Sequence, residues 1–299
     1  MAALKVQPEI RVTQALHAPS HALAWARLHS MTKRKTWPVA LTIAGSDSGG
    51  GAGLQADLKT FAAFGVHGAS AIACLTAQNP RRVLAVSPCP PGLLRQQIEA
   101  VFEELPPRAA KTGMLYSPAN LRVVADFFGA RTDRPPIPLV IDPVMVSTSG
   151  AALLTAAARK ILAENLLPLA TLATPNLDEV EALLGKKPGS TGEMRAAARE
   201  WHRRYGCAVL VKGGHLKGRG TARDIFFDGE TEMEVTAPRV AGVRTHGTGC
   251  AYSAAICAAL ALGNDLPAAV RMGKRFITQA IAGSYRVGAH FALGLTGPG

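Results

Sequence analysis

Two glycines, a threonine and a cysteine stand together at Gly247-Thr248-Gly249-Cys250, and the small-residue run AYSAAICAALAL follows directly. Glycines let a backbone turn sharply and bring its amides close to a ligand, and alanine-rich stretches have strong helix propensity. A loop feeding a helix N-terminus is therefore expected. Its free amides and the positive end of the helix dipole favour an anion such as phosphate, and a cysteine in that first turn is expected to have a lowered pKa. The same residues also suit an ordinary turn ahead of a packed helix, with the cysteine as a small core residue.

Other residues with chemical capacity fall just after hydrophobic segments. The stretch GSDSGGGAG, from Gly45 to Gly53, lacks the GKS or GKT of a P-loop and a convincing GxGxxG fingerprint, but leaves the backbone free to approach a flat ligand. Asp57 follows, near a helix start where the dipole stabilises its charge. Gln78, in TAQNP, presents an acceptor beside donors, the complement of an aminopyrimidine edge or of adenine; it also reads as a polar loop residue. Met114, after KTG, also reads as a core filler. Asp142 ends a hydrophobic strand in LVIDPV, and Pro143 keeps it out of a helix, so its carboxylate is placed to help hold Mg²⁺. Asn176 and Glu179 share one face of a helix start after Pro175, where they also read as a capping box. Lys212, ahead of Gly213-Gly214-His215, offers a flexible cation to phosphate oxygens.

These residues need a scaffold that lines them up, and the hydrophobic pattern predicts one. Strand-like segments over 39–44, 69–76, 83–86, 109–114, 139–144, 171–174 and 208–212 alternate with helical ones over 54–64, 91–105, 153–167, 177–184 and 193–205. A further helix is expected from Ser117 as N-cap with Pro118 at its first position, and another over 266–284. Asp228-Gly229 marks the turn of a hairpin over 224–227 and 232–236. Strands alternating with helices imply an α/β fold with a mainly parallel sheet covered on both faces. In such sheets ligands gather at the carboxyl ends of the strands. No internal repeat or linker marks a second domain, so residues 37–299 are expected to form one.

Composition narrows the function class. With 299 residues and 48% hydrophobic content, the chain is long and apolar enough for a sizeable core. The five cysteines are scattered without a CxxC pair, which argues against a disulfide framework or a zinc site and fits a reducing cytoplasm. No run of 18 apolar residues suggests a membrane span. Of the net charge of +12, residues 1–36 carry +5, with Lys5, Arg11, Arg27, Lys33, Arg34 and Lys35 against Glu9. The remaining excess is spread without interleaved aromatics, which argues against nucleic acid and suits anionic small substrates. Residues 1–36 are expected to be a disordered basic N-terminal extension, with Met31 as the natural start.

The stretches TIAGSDSGGGAGLQADLKTF, LTAQN, KTGML, IDPVM with TSG, TPNLDEVEALLG, LVKGGHL and HGTGC occur in this order within roughly residues 38–290. In all of them the chain resembles the hydroxymethylpyrimidine and phosphomethylpyrimidine kinases of thiamin biosynthesis, in the ribokinase-like superfamily. The resemblance implies a ribokinase-like three-layer sandwich, usually in a homodimer, that uses ATP and Mg²⁺. The implied reaction phosphorylates 4-amino-5-hydroxymethyl-2-methylpyrimidine and then its monophosphate. Carried over by position, Gly45, Asp57, Gln78, Met114 and Val144 would line the pyrimidine pocket. Asp142 and Glu179 would serve Mg²⁺, and Asn176, Lys212 and Thr248 would serve ATP. Gly247, Thr248, Gly249 and Cys250 would form the anion hole, with Cys250 where sugar kinases of the superfamily place an aspartate base. The chain departs from the family pattern at Gly49, Pro80, Ala151 and Ala251-Tyr252. A pyridoxal kinase is the neighbouring reading, since its substrate is also a flat heteroaromatic bearing a hydroxymethyl group. A reading of a different class is a non-catalytic ligand or nucleic-acid binding protein, against which the intact set of Asp142, Glu179, Lys212 and Cys250 stands.

Overall fold

Side chains on successive strand residues point to opposite faces, and here both faces are apolar, so the sheet is sandwiched. In β1 (Val39–Asp47) Leu41 and Ile43 enter one core and Ala40 the other. The computed structural model describes residues 36–132, 136–145, 153–214, 216, 220–240, 242–243 and 246–295, all but Thr36 within one compact unit, Trp37–Gly299. The expectations for residues 1–35, for Thr148-Ser149-Gly150 with Ala151, and for His215 lie outside the described residues.

After β1 come α1 (Gly53–Ala63), β2 (His67–Asn79), β3 (Arg82–Pro88), α2 (Pro91–Glu104), β4 (Ala109–Thr112), α3 (Pro118–Gly129) and β5 (Leu139–Ile141). Then follow α4 (Ala156–Ile161), β6 (Leu172–Ala173), α5 (Leu177–Leu184), α6 (Thr191–Tyr205), β7 (Ala208–Lys212), β8 (Thr221–Phe227) and β9 (Glu232–Pro238). The chain closes with α7 (Thr248–Ala261), α8 (Leu266–Ala282) and a hairpin of β10 (Tyr285–Val287) and β11 (His290–Ala292). The large sheet has the order β3-β2-β1-β4-β5-β6-β7-β8-β9. Strands β2, β1 and β4 to β7 run parallel; β3 pairs antiparallel with β2 at one edge, and β8 and β9 extend the other side through antiparallel pairs β7–β8 and β8–β9. The chain moves outward from β1 to β2 and returns on the other side to β4, which opens a crevice at their carboxyl ends.

Two apolar clusters flank the sheet. One packs Leu94, Leu121, Ile161, Val180 and Trp201 from α2 to α6; the other packs Phe61, Ile256 and Phe276 from α1, α7 and α8. Helix α7 is buried on every side from Ala251 to Ala261, and its alanines allow that close packing.

Several boundaries differ from expectation for local reasons. β1 extends through Asp47 and β2 through Asn79, so Gly45, Ser46, Asp47 and Gln78 lie in paired strand rather than in loops. Polar side chains support that extension: Thr76 Oγ1 donates to the Ser46 carbonyl at 2.7 Å. The helix expected over 153–167 tightens and loosens into a π turn, Leu162–Leu166, and a 3₁₀ turn, Leu167–Leu169, around Pro168, which has no amide to donate. β4 and β5 stop short of Gly113, Met114 and Asp142, leaving these residues beyond the strand ends. β10 and β11, at three residues each, are too short to show a period in sequence. Replacing the fully buried Phe61 by alanine is expected to cost about 3–5 kcal/mol, measured by urea unfolding.

Candidate active site

The crevice is a cavity of about 460 Å³. Gly45, Asp57, Gln78, Met114 and Val144 line it together, and Asp142, Asn176, Glu179 and Lys212 join them. Gly247, Thr248, Gly249 and Cys250 complete its wall, so every residue singled out in the sequence faces one space. Asp47, Lys111, Asp224, His246, Tyr252 and Lys274 also line it, and the sequence reading gave none of these a role in the site.

Two glycine-rich segments meet at its centre. Asp47 at the end of β1 accepts the amides of Gly49 at 2.7 Å, Gly51 at 3.0 Å and Ala52 at 2.8 Å, an arrangement suited to a short acidic side chain in a turn. His246 Nε2 lies 3.2 Å from the same carboxylate. Burial acts to raise the Asp47 carboxyl, yet His246, Gln78 and the loop amides hold it well below the usual carboxylate range. Gly247, the N-cap of α7, has φ +81°, and a Cβ there would lie 1.9 Å from the Gly51 carbonyl oxygen. Gly247 is thus required by backbone contact, whereas a Cβ on Gly51 would meet the His246 ring at 3.2 Å. On β2 the Gln78 main chain is fixed by Ser48, whose hydroxyl accepts the Gln78 amide at 2.8 Å and donates to its carbonyl at 2.7 Å. Gly45 leaves room for Met114, since a Cβ would sit 3.0 Å from its Cε.

Beneath these segments lie buried charges. Asp57 accepts from Thr42 Oγ1 at 2.6 Å and from Lys111 Nζ at 2.8 Å, with both members of the ion pair fully buried. The expectation of a carboxylate stabilised mainly by the α1 dipole is corrected: burial pushes Asp57 up, and Lys111 and Thr42 act against it. Burial would depress the Lys111 ammonium, but Asp57, Cys250 and Asp142 hold it above the ordinary lysine range. A lysine inside the fully buried strand AAKT is the signal that sequence reading passed over, because such a lysine needs a buried partner.

Asp142 receives Lys212 Nζ at 3.0 Å, Thr174 Oγ1 at 3.2 Å and Ser253 Oγ at 3.3 Å. Burial alone would raise it; Lys212, then Lys111, keep it below the usual range. Asn176 and Glu179 do form the capping box of α5, with Glu179 Oε2 accepting the Asn176 amide at 2.8 Å. Glu179 is nonetheless buried, and burial, opposed by Lys212 and reinforced by Asp142, pushes it up to about 7. A lowered Cys250 pKa is also corrected. Burial pushes this thiol up to about 12, more than Lys111 and the Gly53 amide offset. Helix-start geometry favours a thiolate only where water or a nearby cation compensates its desolvation.

The arrangement provides a cation and helix amides for phosphate beside two carboxylates of hard oxygen character. Among the described residues no group of three or more His, Cys, Asp or Glu is placed to hold a metal ion. That donor set suits Mg²⁺, which takes one or two carboxylates and keeps water and phosphate oxygens for the rest.

The raised Glu179 carboxyl makes a testable demand on stability. Between the unfolded value of 4.5 and about 7 the unfolded chain ionises this group while the folded chain keeps it protonated, so stability falls as pH rises through that window and levels off above it. Urea unfolding is expected to show Glu179→Gln gaining on the parent by a few kcal/mol at pH 8 relative to pH 5, of the order set by about 1.4 kcal/mol per pKa unit. Gly247→Ala is expected to lower turnover at least about a hundredfold, because its methyl displaces the loop beneath the anion site.

Comparison with known proteins identifies the family. A family model described as phosphomethylpyrimidine kinase matches residues 47–294. The hydroxymethylpyrimidine/phosphomethylpyrimidine kinase of Rhizobium meliloti is 47% identical over 253 residues, 83% of this chain and 92% of that protein. Among solved structures, the phosphomethylpyrimidine kinase of Clostridium difficile has a TM-score of 0.71 at 41% identity, covering 82% of this chain and 99% of that one. An ADP complex of Bacillus subtilis pyridoxal kinase has a TM-score of 0.77 at 34% identity, covering 86% and 97%. The match spans the strand ends that build the cavity, and the chain belongs to the phosphomethylpyrimidine kinase family.

Proposed function

We propose that this protein phosphorylates 4-amino-5-hydroxymethyl-2-methylpyrimidine with ATP, giving the monophosphate and then the diphosphate for thiamin biosynthesis. The observation that carries this reading is that the candidate site residues line one cavity. Gln78, Met114 and Gly45 stand at its β1–β2 end, and Lys212 and the α7 N-terminus lie farther along. An aminopyrimidine suits the first end, because Gln78 offers an acceptor for its amino group beside a donor for its ring nitrogen. The γ-phosphoryl group suits the middle, where the amides of Gly247 to Cys250 and the Lys212 ammonium meet its spreading charge. Asp142 and Glu179 are the proposed Mg²⁺ ligands, and that ion when bound would neutralise phosphate charge. A homodimer in the cytoplasm completes the proposal.

Cys250, which lines the same cavity, is the proposed partner of the hydroxymethyl oxygen. With its thiol raised to about 12, it is protonated in the ligand-free protein, so its first task is to orient that oxygen for in-line attack. Loose phosphoryl-transfer transition states ask little of a base before the new bond forms. Cys250→Ala is expected to lower kcat at least about tenfold with KM for the pyrimidine within about twofold, in the range of a lost orienting or acid–base group. Equal loss in binding and turnover, or unchanged kcat, would remove Cys250 from the reacting centre. Incubation with MgATP and either the pyrimidine alcohol or pyridoxal, followed by mass analysis, tests the whole reading. A pyrimidine diphosphate is the expected product, and phosphorylation of pyridoxal alone would replace this reading by its superfamily neighbour.

A further inference from the structure

Asp224 of β8 lies in the cavity wall across the sheet from Gln78, and the mechanism above gives it no part. It is buried, with 2% of its surface exposed. Its Oδ1 accepts the Gly213 amide at 2.9 Å, and its Oδ2 accepts Lys274 Nζ at 2.7 Å and the Tyr252 hydroxyl at 3.2 Å. One carboxylate therefore ties together β8, the turn after β7, α7 and α8.

These ties end beside the groups that would face phosphate. Gly213 directly follows Lys212, and Tyr252 is two residues beyond Cys250. There is no slack on the strand side, since a Cβ on Gly213 would lie 2.2 Å from the Arg223 carbonyl oxygen. On the helix side, Gly273 of α8 opens a notch for the tyrosine: a Cβ there would lie 3.1 Å from Tyr252 Cε2 and 2.6 Å from Ile256 Cγ1. Burial, with Asp224 adding to it, pushes the Tyr252 hydroxyl well above its ordinary range, so it stays a donor. A buried ion pair such as Lys274–Asp224 seldom adds net stability over apolar side chains of equal volume, which leaves its position to explain it. The apolar side chains of Pro238, Val240 and Ile281, which line the same cavity, are suited to a nucleobase.

We propose that Asp224, held by Tyr252 and Lys274, is a positioning residue for the nucleoside triphosphate: it fixes the Lys212-Gly213-Gly214 turn against the first turn of α7. Asp224 then fixes the backbone of this turn relative to α7, while Asp142 holds the Lys212 ammonium itself at 3.0 Å. The inference rests on the kinase reading above.

Steady-state kinetics with ATP and pyrimidine varied separately, and calorimetric titration with ADP, test it on the full chain. Tyr252→Phe keeps the ring in the Gly273 notch and removes one donor to a carboxylate. It is expected to raise KM for ATP and Kd for ADP about tenfold, the scale of one charge-assisted hydrogen bond. KM for the pyrimidine should stay within about twofold and Tm within about 2 °C. Lys274→Met is expected to shift the same constants further, and Lys274→Arg to recover most of the loss. Unchanged ADP affinity in Tyr252→Phe and Lys274→Met, or equal rises in both KM values, would reduce the cluster to structural support and overturn the proposal. A parent enzyme that binds ADP but consumes no ATP with either alcohol would instead remove the kinase reading and this inference with it.

Discussion

Aspartates buried at one end of a largely apolar sheet must each be matched, and that requirement shapes the molecule around the cavity. Asp47, Asp57, Asp142 and Asp224 are all nearly inaccessible. Each meets a basic side chain from a distant part of the chain: His246, Lys111, Lys212 and Lys274. An unpaired carboxylate in such a place is strongly disfavoured, so each contact constrains the elements that carry its partners. Two of the partners sit on strands, one on α8 and one in the segment leading into α7, which is why the sheet order and the α7–α8 packing are inseparable from the site. The pairs also use up most of the charge locally. What remains for a ligand is the unmatched donor capacity of Lys212 and the helix amides, together with Glu179, which burial holds near neutrality.

The second constraint is steric. Gly51 and Gly247 touch through their backbones, and Asp47 and His246 join the same two segments through side chains. The loop after β1, beside the proposed pyrimidine end, and the loop before α7, beside the proposed phosphate, are therefore one structural unit. Proximity in phosphoryl transfer depends on holding two reactants within a few tenths of an ångström, and contact between backbones gives that stiffness more directly than contact between long side chains.

How far the sequence discloses this depends on the range of each interaction. Helix α5 and strand β7 are legible to the residue because their caps and apolar runs are local, as the Asn176–Glu179 capping box shows. The carboxyl-end placement of Asp142 and Lys212 follows from the alternation of strands and helices. Lys111, Asp224 and Lys274 are not legible in the same way. Their partners lie 54, 11 and 50 residues or so away along the chain, and no periodicity reports such pairing. The ionisation of Cys250 illustrates the same limit: its position at a helix start is local, but its half-buried setting beside Asp57 and Asp142 is a property of the whole fold.

That burial also bears on why a thiol is tolerable at position 250. Asp57 and Asp142 both act to raise Cys250, and Lys111 acts the other way. Lys111 is already engaged with Asp57 at 2.8 Å. A carboxylate in place of the thiol would add another anion to this cluster without adding a cation, and would carry its charge in the resting state. A thiol that burial keeps neutral avoids that repulsion and leaves the first turn of α7 open to the negative charge of a phosphoryl group. The residue proposed to face the reacting oxygen is thus set by the charge its neighbours already carry as much as by its own chemistry.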